Sequence, residues 1–440
     1  MKVLMFGWEF PPHITGGLGT ACFGMTKGLA KNGVDVLFVV PKAHGDEDET
    51  NVRLLNASDV TVNIDNEKDR SYWDRVQYME IGSNIIPYVG PERFEQIVEE
   101  QRATNYFHSP VFMPRYEFSG KYGANLMEEV SRYALIGSSL ALEHKDEFDV
   151  IHAHDWLTYS AGIAAKETTG KPLVVHMHAT EFDRSGENVN SLVYSIERRG
   201  MEAADIVITV SDLTRKIVVE RYGINPDKVI TVHNAVEPND KKRSEYETCG
   251  LKNKVVTFLG RITYQKGPEY FVEAAHKILQ YDPTIHFVMA GTGDLLPKMI
   301  RRVAQLKMGA NFHFTGFLKG NDVDQMFAMS DVFVMPSISE PFGIVPLEAM
   351  RLDVPCVISK QSGVSEVLQN VLKVDFWDIN GLADSIYGLC HYPKLSEMFK
   401  KKGKEEVDNL KWEFASKKIK DVYEKAIEIT RKITLKKHIL

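Results

Sequence analysis

The sequence predicts an α/β fold made of two parallel-sheet domains facing one another across a cleft. Three observations carry this. The chain has 440 residues, too many for one ordinary core and enough for two domains of about 200 residues each. Short β-branched runs alternate with longer amphipathic stretches, the pattern of strands covered on both faces by helices. The alternation stops once, in the polar segment 237–254 containing Pro238-Asn239-Asp240, and then restarts, so that segment reads as a linker.

In the first domain, residues 1–236, the strand runs are 3–6, 34–40, 150–153, 173–176, 206–210 and 229–232. Stretches such as 157–166 and 213–221 read as helices between them. Residues 44–120 break this rhythm and read as an insertion able to reach over a cleft. The insertion holds Asp46-Glu47-Asp48-Glu49, a charge run expected to be a solvated face. In the second domain, residues 255–411, the strand runs are 255–259, 285–290, 312–314, 332–335 and 354–358. Residues 412–440 form one helical pattern. Ala415, Ile419, Val422, Ala426, Ile429 and Ile433 recur on one face, with lysines opposite. Packing on the protein is the favoured expectation for this helix, and contact with a membrane is the alternative.

The balance of 44% hydrophobic and 26% charged residues is that of a globular chain. A net charge of −7 gives no general attraction for nucleic acid or anionic membrane. Cys22, Cys249, Cys356 and Cys390 include no CxxC pair, so neither a zinc site nor a redox pair is indicated. Scattered cysteines suit a reducing cytoplasm. The opening apolar run stops at Gly7, short of a secretory leader, and no 18-residue apolar stretch occurs. Cytoplasmic localisation is the expectation.

Chemistry-bearing motifs fall at strand ends. After the first strand come Pro11, Pro12, Gly16, Gly17 and Gly19, then a helix from Leu18. Glycines let backbone approach a ligand, and a helix start favours anions. The spacing is not GxGxxG, so a dinucleotide reading is weak. His152-Ala153-His154-Asp155-Trp156 follows the strand at 150–153. Its HxH pair suggests metal, but no further ligand lies near it in sequence; substrate orientation or structural hydrogen bonding is favoured. His178, in His176-Met177-His178-Ala179-Thr180-Glu181, ends the next strand, where a histidine serves either a sugar hydroxyl or the core. In the second domain, Arg261 and Lys266 stand five apart beside a helix start, suited to a diphosphate. The run Met335 to Met350 contains a loop with Glu340 and Pro341 and a helix expected to begin near Gly343. The N–H groups of Gly343, Ile344 and Val345 would face an anion. Glu348 would accept from vicinal ribose hydroxyls, and Glu340 would reach the sugar. Asp322-Val323-Asp324 reads as a helix cap.

On these residues the chain resembles the retaining glycosyltransferases of the GT-B type, the group that includes glycogen and starch synthases, sucrose synthases and many mannosyl- and glucosyltransferases. The likeness runs through the glycine turn, HAHDW, the HATE segment, Gly260-Arg261 with Lys266-Gly267, and the pair Glu340 and Glu348 with seven residues between them. It implies two Rossmann-like domains and a C-terminal helix crossing back to the first. It implies His178 near the anomeric carbon, Arg261 and Lys266 on the diphosphate, Glu340 on the donor sugar and Glu348 on the ribose. It also implies Gly16 and Gly17 beside the phosphates, and His154, Asp155 and Trp156 on the acceptor side. Two positions depart from the glycogen synthase pattern: Ile14 replaces a lysine, and the second-domain Gly-Gly-x-x-Glu is Ser362-Gly363-Val364-Ser365-Glu366. The implied reaction is hexosyl transfer from a donor such as ADP-glucose or UDP-glucose to a glycan, an α-1,4-glucan being favoured over a lipid-linked or cell-surface acceptor. No metal or other cofactor is implied. A paired-carboxylate hydrolase, a sugar-nucleotide sensor and an epimerase of the same fold are the rivals.

Overall fold

A computed structural model of the chain describes residues 1–13, 16–60, 118–119, 126–237, 243–246 and 253–439. The first domain contains β1 (Lys2–Phe6), α1 (Gly17–Lys31), β2 (Asp35–Val40), β3 (Arg53–Asn56), α2 (Leu126–Glu143), β4 (Val150–His154), α3 (Trp156–Thr169), β5 (Leu173–Met177), α4 (Glu181–Ser185), α5 (Ser191–Ala203), β6 (Ile206–Thr209), α6 (Asp212–Tyr222) and β7 (Val229–Thr231). The second contains β8 (Val255–Leu259), α7 (Pro268–Leu279), β9 (His286–Ala290), α8 (Leu296–Gln305), β10 (Phe312–Gly316), α9 (Asn321–Met329), β11 (Val332–Met335), α10 (Val345–Arg351), β12 (Cys356–Ser359), α11 (Val364–Val367), β13 (Leu372–Val374), α12 (Ile379–His391) and α13 (Pro393–Val407). The helix α14 (Trp412–Ile439) closes the chain.

The sheets are ordered β3-β2-β1-β4-β5-β6-β7 and β10-β9-β8-β11-β12-β13. Every neighbouring pair is parallel. Central strands such as β4 and β5 are buried at every position, which is why their sequences read as unbroken apolar runs rather than alternating ones. Two strands escaped the sequence pattern. β3 lies inside the expected insertion but is an edge strand of the first sheet, and only partly buried. β13, three residues long, is the matching edge of the second. The insertion proper is therefore shorter than 44–120 at its start, while 61–117 lie outside the described residues. The acidic run is more than a solvated face. Asp46 pairs with His13, Glu47 accepts from the N–H of His44 and Gly45, and Asp48 caps a turn through the Thr50 N–H.

Part of the expected linker, 243–246, docks on the second domain. The Arg243 guanidinium donates to the carbonyls of Ala328, Ser330 and Asp353. The C-terminal helix returns to the first domain as expected. Gly24 and Gly28 on α1 permit the crossing: a Cβ would lie 2.1 Å from the Trp412 ring nitrogen at Gly24 and 2.4 Å from the Trp412 carbonyl oxygen at Gly28. Ser416 Oγ donates to the Met25 carbonyl, and Lys420 Nζ to that of Asn32. Ala415, Ile419, Val422 and Ala426 are buried, but the stripe stops short of Ile433, which is exposed. No helix among the described residues is long and apolar enough to cross a membrane.

Candidate active site at the facing strand ends

In each sheet the order reverses between two adjacent parallel strands, β1 and β4 in the first and β8 and β11 in the second. Connections leaving such a pair diverge to opposite faces, opening the crevice in which α/β sheets bind ligands. The loops after these four strands carry Gly16-Gly17, Asp155, Arg261 to Lys266, and Ser337 to Glu340. The topology thus gathers motifs spread over more than 300 residues.

On the first-domain side, Asp155 holds φ 56° and ψ 171°, a region that is essentially glycine-only and strained by about 1–3 kcal/mol. Its Oδ1 accepts from the N–H of His178 at 2.6 Å and of Ala179 at 3.3 Å. These two hydrogen bonds tie the strained residue to the end of β5, where His178 stands. Burial pushes the Asp155 carboxyl up to about 6, with Arg184 and the two N–H groups opposing. His178 is half-buried just beyond β5, and burial depresses it to about 3, so it is neutral at ordinary pH. Its Nε2 lies 2.9 Å from His154 Nδ1.

Thr180 and Asp183 form a capping box at the start of α4. Beneath it, Arg184 is clamped between Glu181, at 2.9 Å, and Glu197, which also accepts from the Tyr222 hydroxyl. Burial raises the Glu197 carboxyl to about 7 against the opposing pull of Arg184. This buried network holds the HATE segment in place.

On the second-domain side, Lys266 ends a short turn, Tyr264–Lys266, ahead of α7. Its Nζ lies 2.5 Å from Glu340 Oε2, which also accepts from Ser337 Oγ at 3.1 Å. Arg261 is exposed at the end of β8. Gly343 has φ 97°, a left-handed conformation that a side chain would strain. The helix after it starts at Val345 rather than near Gly343, with Pro346 in its first turn. The N–H groups of Gly343, Ile344 and Val345 precede any carbonyl one turn back and so point out of the helix start. Glu348 lies in that first turn, partly exposed, with no hydrogen-bond donor to its carboxylate among the described residues. Burial pushes it up to about 7, with Arg351 opposing and Asp324 adding to the rise. A carboxylate held there without a partner is set to receive donors from a ligand.

Contacts of three second-domain residues, Ser339, Pro341 and Glu366, tie the halves together. Ser339 Oγ donates to Asp183 Oδ1 at 2.5 Å, one residue from Glu340. Thr214 Oγ1 donates to the Pro341 carbonyl at 3.4 Å. Glu366 accepts from the N–H of Asp212 and Leu213 at the start of α6, at 2.8 and 2.7 Å, and pairs with His233 at 2.7 Å.

Two expectations need correction. Trp156 and His154 have no exposed surface, because α3 carries Trp156 into the core and β4 carries His154 under the loop. They lie beneath the strand-end loops instead of lining them, whereas Asp155 accepts from the backbone N–H of His178. Asp322 and Asp324 do not cap α9, whose N-cap is Gly320; Asp324 instead accepts from Tyr246 and Arg351. Gly16 and Gly17 stand exposed at the start of α1, with nothing within 4 Å of a Cβ at either, so the space beside them is open. Among residues the sequence did not single out, Asp183 was visible as the last member of a Thr-x-x-Asp box. Ser339 and the pairing of His176 with the HxH motif carried no signal.

Residues 106–240 match the Glycosyltransferase Family 4 model, and residues 240–406 match Glycosyl transferases group 1. The chain thus carries a group 1 glycosyltransferase domain after a Family 4 one. It is 28% identical to an uncharacterized glycosyltransferase of Methanocaldococcus jannaschii, over 87% of this chain and 84% of that one. It is 29% identical to the alpha-maltose-1-phosphate synthase of Mycolicibacterium smegmatis, over 63% and 79%. It is 23% identical to a glycogen synthase of Mycobacterium tuberculosis, over 90% and 88%. Among solved structures, the sucrose-phosphate synthase from Thermosynechococcus elongatus superposes with a TM-score of 0.69 at 16% identity, over 97% and 99%. The fold of this glycosyltransferase is thus GT-B, two Rossmann-like domains with a returning C-terminal helix.

Proposed function

We propose that this glycosyltransferase moves a hexosyl group, glucosyl in preference, from a nucleoside diphosphate sugar to a glycan hydroxyl with retention of configuration. The favoured acceptor class is an α-1,4-glucan, supported by the HAHDW and HATE segments and by the relatives named as glycogen and maltose-1-phosphate synthases. The observation that carries the reading is the partly buried Glu348 carboxylate, without a donor among the described residues, in the first turn of the helix that follows the loop of the Lys266–Glu340 pair.

In this reading the two ribose hydroxyls donate to Glu348, and the diphosphate lies against Arg261, Lys266 and the N–H groups at Gly343, Ile344 and Val345. Negative charge grows on the diphosphate as the bond from the anomeric carbon to its oxygen breaks. Donors already aimed at that charge lower the barrier without reorganising. The departing phosphate oxygen takes the proton of the acceptor hydroxyl, which bonds to the anomeric carbon from the same face. His178 is too weak a base at about 3 to take that proton. It holds a sugar hydroxyl instead, using Nδ1, since Nε2 faces His154. Glu340, engaged by Lys266 and Ser337, reads a donor-sugar hydroxyl and is poorly placed to be the acid of a hydrolase.

The test is a screen of ADP-glucose, UDP-glucose and GDP-mannose for nucleotide release, with and without maltooligosaccharide. Release from a glucose donor, accelerated by the acceptor and accompanied by chain elongation, is the expected result. Fast release of free sugar that ignores the acceptor would favour hydrolysis, and silence with every donor would remove the catalytic reading.

A further inference from the structure

Behind His178 the two central strands β4 and β5 bring four histidines together. His154 pairs in register with His176, and period-two alternation puts His152 and His154 on one face of the sheet with His176 and His178. Ring centroids are 4.1 Å apart for His152 and His154, 4.2 Å for His176 and His178, and 5.4 Å for His152 and His176. His152, His154 and His176 are fully buried, and each can offer a ring nitrogen within 4.8 Å of the other two.

Four nitrogens in this group have no partner: Nε2 of His152, Nε2 of His154, and both nitrogens of His176. A neutral imidazole carries one N–H and one lone pair, so His176 has a donor and an acceptor that are both unanswered in the core. Buried polar atoms are nearly always paired, and exceptions call for a reason, an unseen ion among them. The far sides of the other two rings are engaged. His152 Nδ1 lies 2.6 Å from the Tyr423 hydroxyl on the returning helix, and His154 Nδ1 lies 2.9 Å from His178 Nε2. One nitrogen turned inward and bare, the other fixed by an outer partner, is how a metal-bound histidine is arranged.

We propose that His152, His154 and His176 hold one divalent transition-metal ion of the zinc class, buried directly behind the His178 end of the cleft. No carboxylate belongs to the triad, which disfavours magnesium and calcium and suits zinc or its neighbours. Nitrogens bound at about 2.0–2.1 Å sit some 3.3 Å apart in a tetrahedral site, so the rings need to close by at most about 1.5 Å. The HxH pair hints at a metal in the sequence, but its third ligand stands on the neighbouring strand, 22 residues on from His154.

A bound ion has a consequence at the cleft. With Nε2 of His154 on the metal, its Nδ1 carries the hydrogen and donates to His178 Nε2. His178 is then fixed as the tautomer with Nδ1–H, ready to donate to a hydroxyl. The site itself does not depend on the transferase reading; this consequence does.

The test uses the full chain stripped with a chelator and titrated with Co²⁺ alone, then with Zn²⁺ in competition. We expect about one equivalent bound, with visible bands of a low-coordinate nitrogen site that Zn²⁺ abolishes. X-ray absorption of the Zn²⁺ form should show nitrogen scatterers at about 2.0 Å with the outer-shell signature of at least three imidazoles. His176→Leu should lose the ion. His13→Ala, which removes the exposed His13–Asp46–Glu47 trio, should keep it. A wild-type chain that stays folded by circular dichroism and binds less than about a tenth of an equivalent overturns the assignment. So do an intense thiolate-to-metal band, an oxygen-dominated shell, or binding that survives in a folded His176→Leu chain. The wild-type measurements decide the matter even if His176→Leu fails to fold.

Discussion

Replacing Lys266 by methionine separates what its ammonium does for the fold from what it does for the reaction. At 2.5 Å from Glu340 Oε2 and an effective dielectric near 20, the direct attraction is about 6–7 kcal/mol. Desolvation offsets most of that. Side-chain exposure is 20% for Lys266 and 7% for Glu340. Leaving the carboxylate alone should therefore cost somewhat less than the ~3–5 kcal/mol of a fully buried pair, about 2–3 kcal/mol. Glu340 keeps its bond from Ser337, which limits the loss. Adding Glu340→Gln removes the stranded charge, and the double variant should regain most of the stability. Activity should behave differently. Removing one preorganised donor lowers kcat by roughly 10² to 10³, and Glu340→Gln should restore none of it. Urea denaturation and nucleotide-release kinetics on the four proteins make the cycle. The reasoning fails if Lys266→Met stays folded and turns over within about threefold of wild type, a change of only ~0.7 kcal/mol in the barrier.

Further predictions follow from the same geometry. Because burial holds Glu348 at about 7 and ribose donates to its ionised form, nucleotide affinity should weaken by up to about tenfold per pH unit below 7 and level off above. Calorimetry in buffers of different ionisation enthalpy should show proton release on binding near pH 6, absent in Glu348→Gln. The sign for stability is opposite: this raised carboxyl contributes most below its unfolded value of about 4.3, and the contribution is lost as pH rises through 7. Glu366→Ala uncaps α6 across the domain boundary and should cost about 0.5–2 kcal/mol, read as a lower urea midpoint. Gly28→Val drives a side chain into the Trp412 backbone and should destabilise by at least ~1–3 kcal/mol, with limited proteolysis cutting α14 faster than in wild type.

Much of the fold could be read from the sequence because parallel strands buried on both faces are written as contiguous apolar runs. β1, β4, β8 and β11 are all legible in this way, and the candidate site lies at their ends. Two of the four edge strands lack that signature: partly buried β3 hid inside a segment read as an insertion, and β13 has only three residues. Local motifs such as Lys266, Glu340 and Glu348 announced themselves by residue type and spacing. Trp156 and His154 did not reveal their burial, since a strand end and the first turn of a helix alternate between cleft and core within one residue. The contacts that join the domains, Ser339 to Asp183 and Glu366 to α6, couple residues more than 150 positions apart and leave no periodic trace.

The central claim is that the second-domain loop from Glu340 to Glu348, with Arg261 and Lys266, is the nucleoside diphosphate site. Calorimetric titration of UDP and ADP into wild type, Lys266→Met and Glu348→Gln tests it most directly. The account predicts that one diphosphate binds with 1:1 stoichiometry and that each substitution weakens it by at least about tenfold, ~1.4 kcal/mol. Undiminished binding in both folded variants would contradict it.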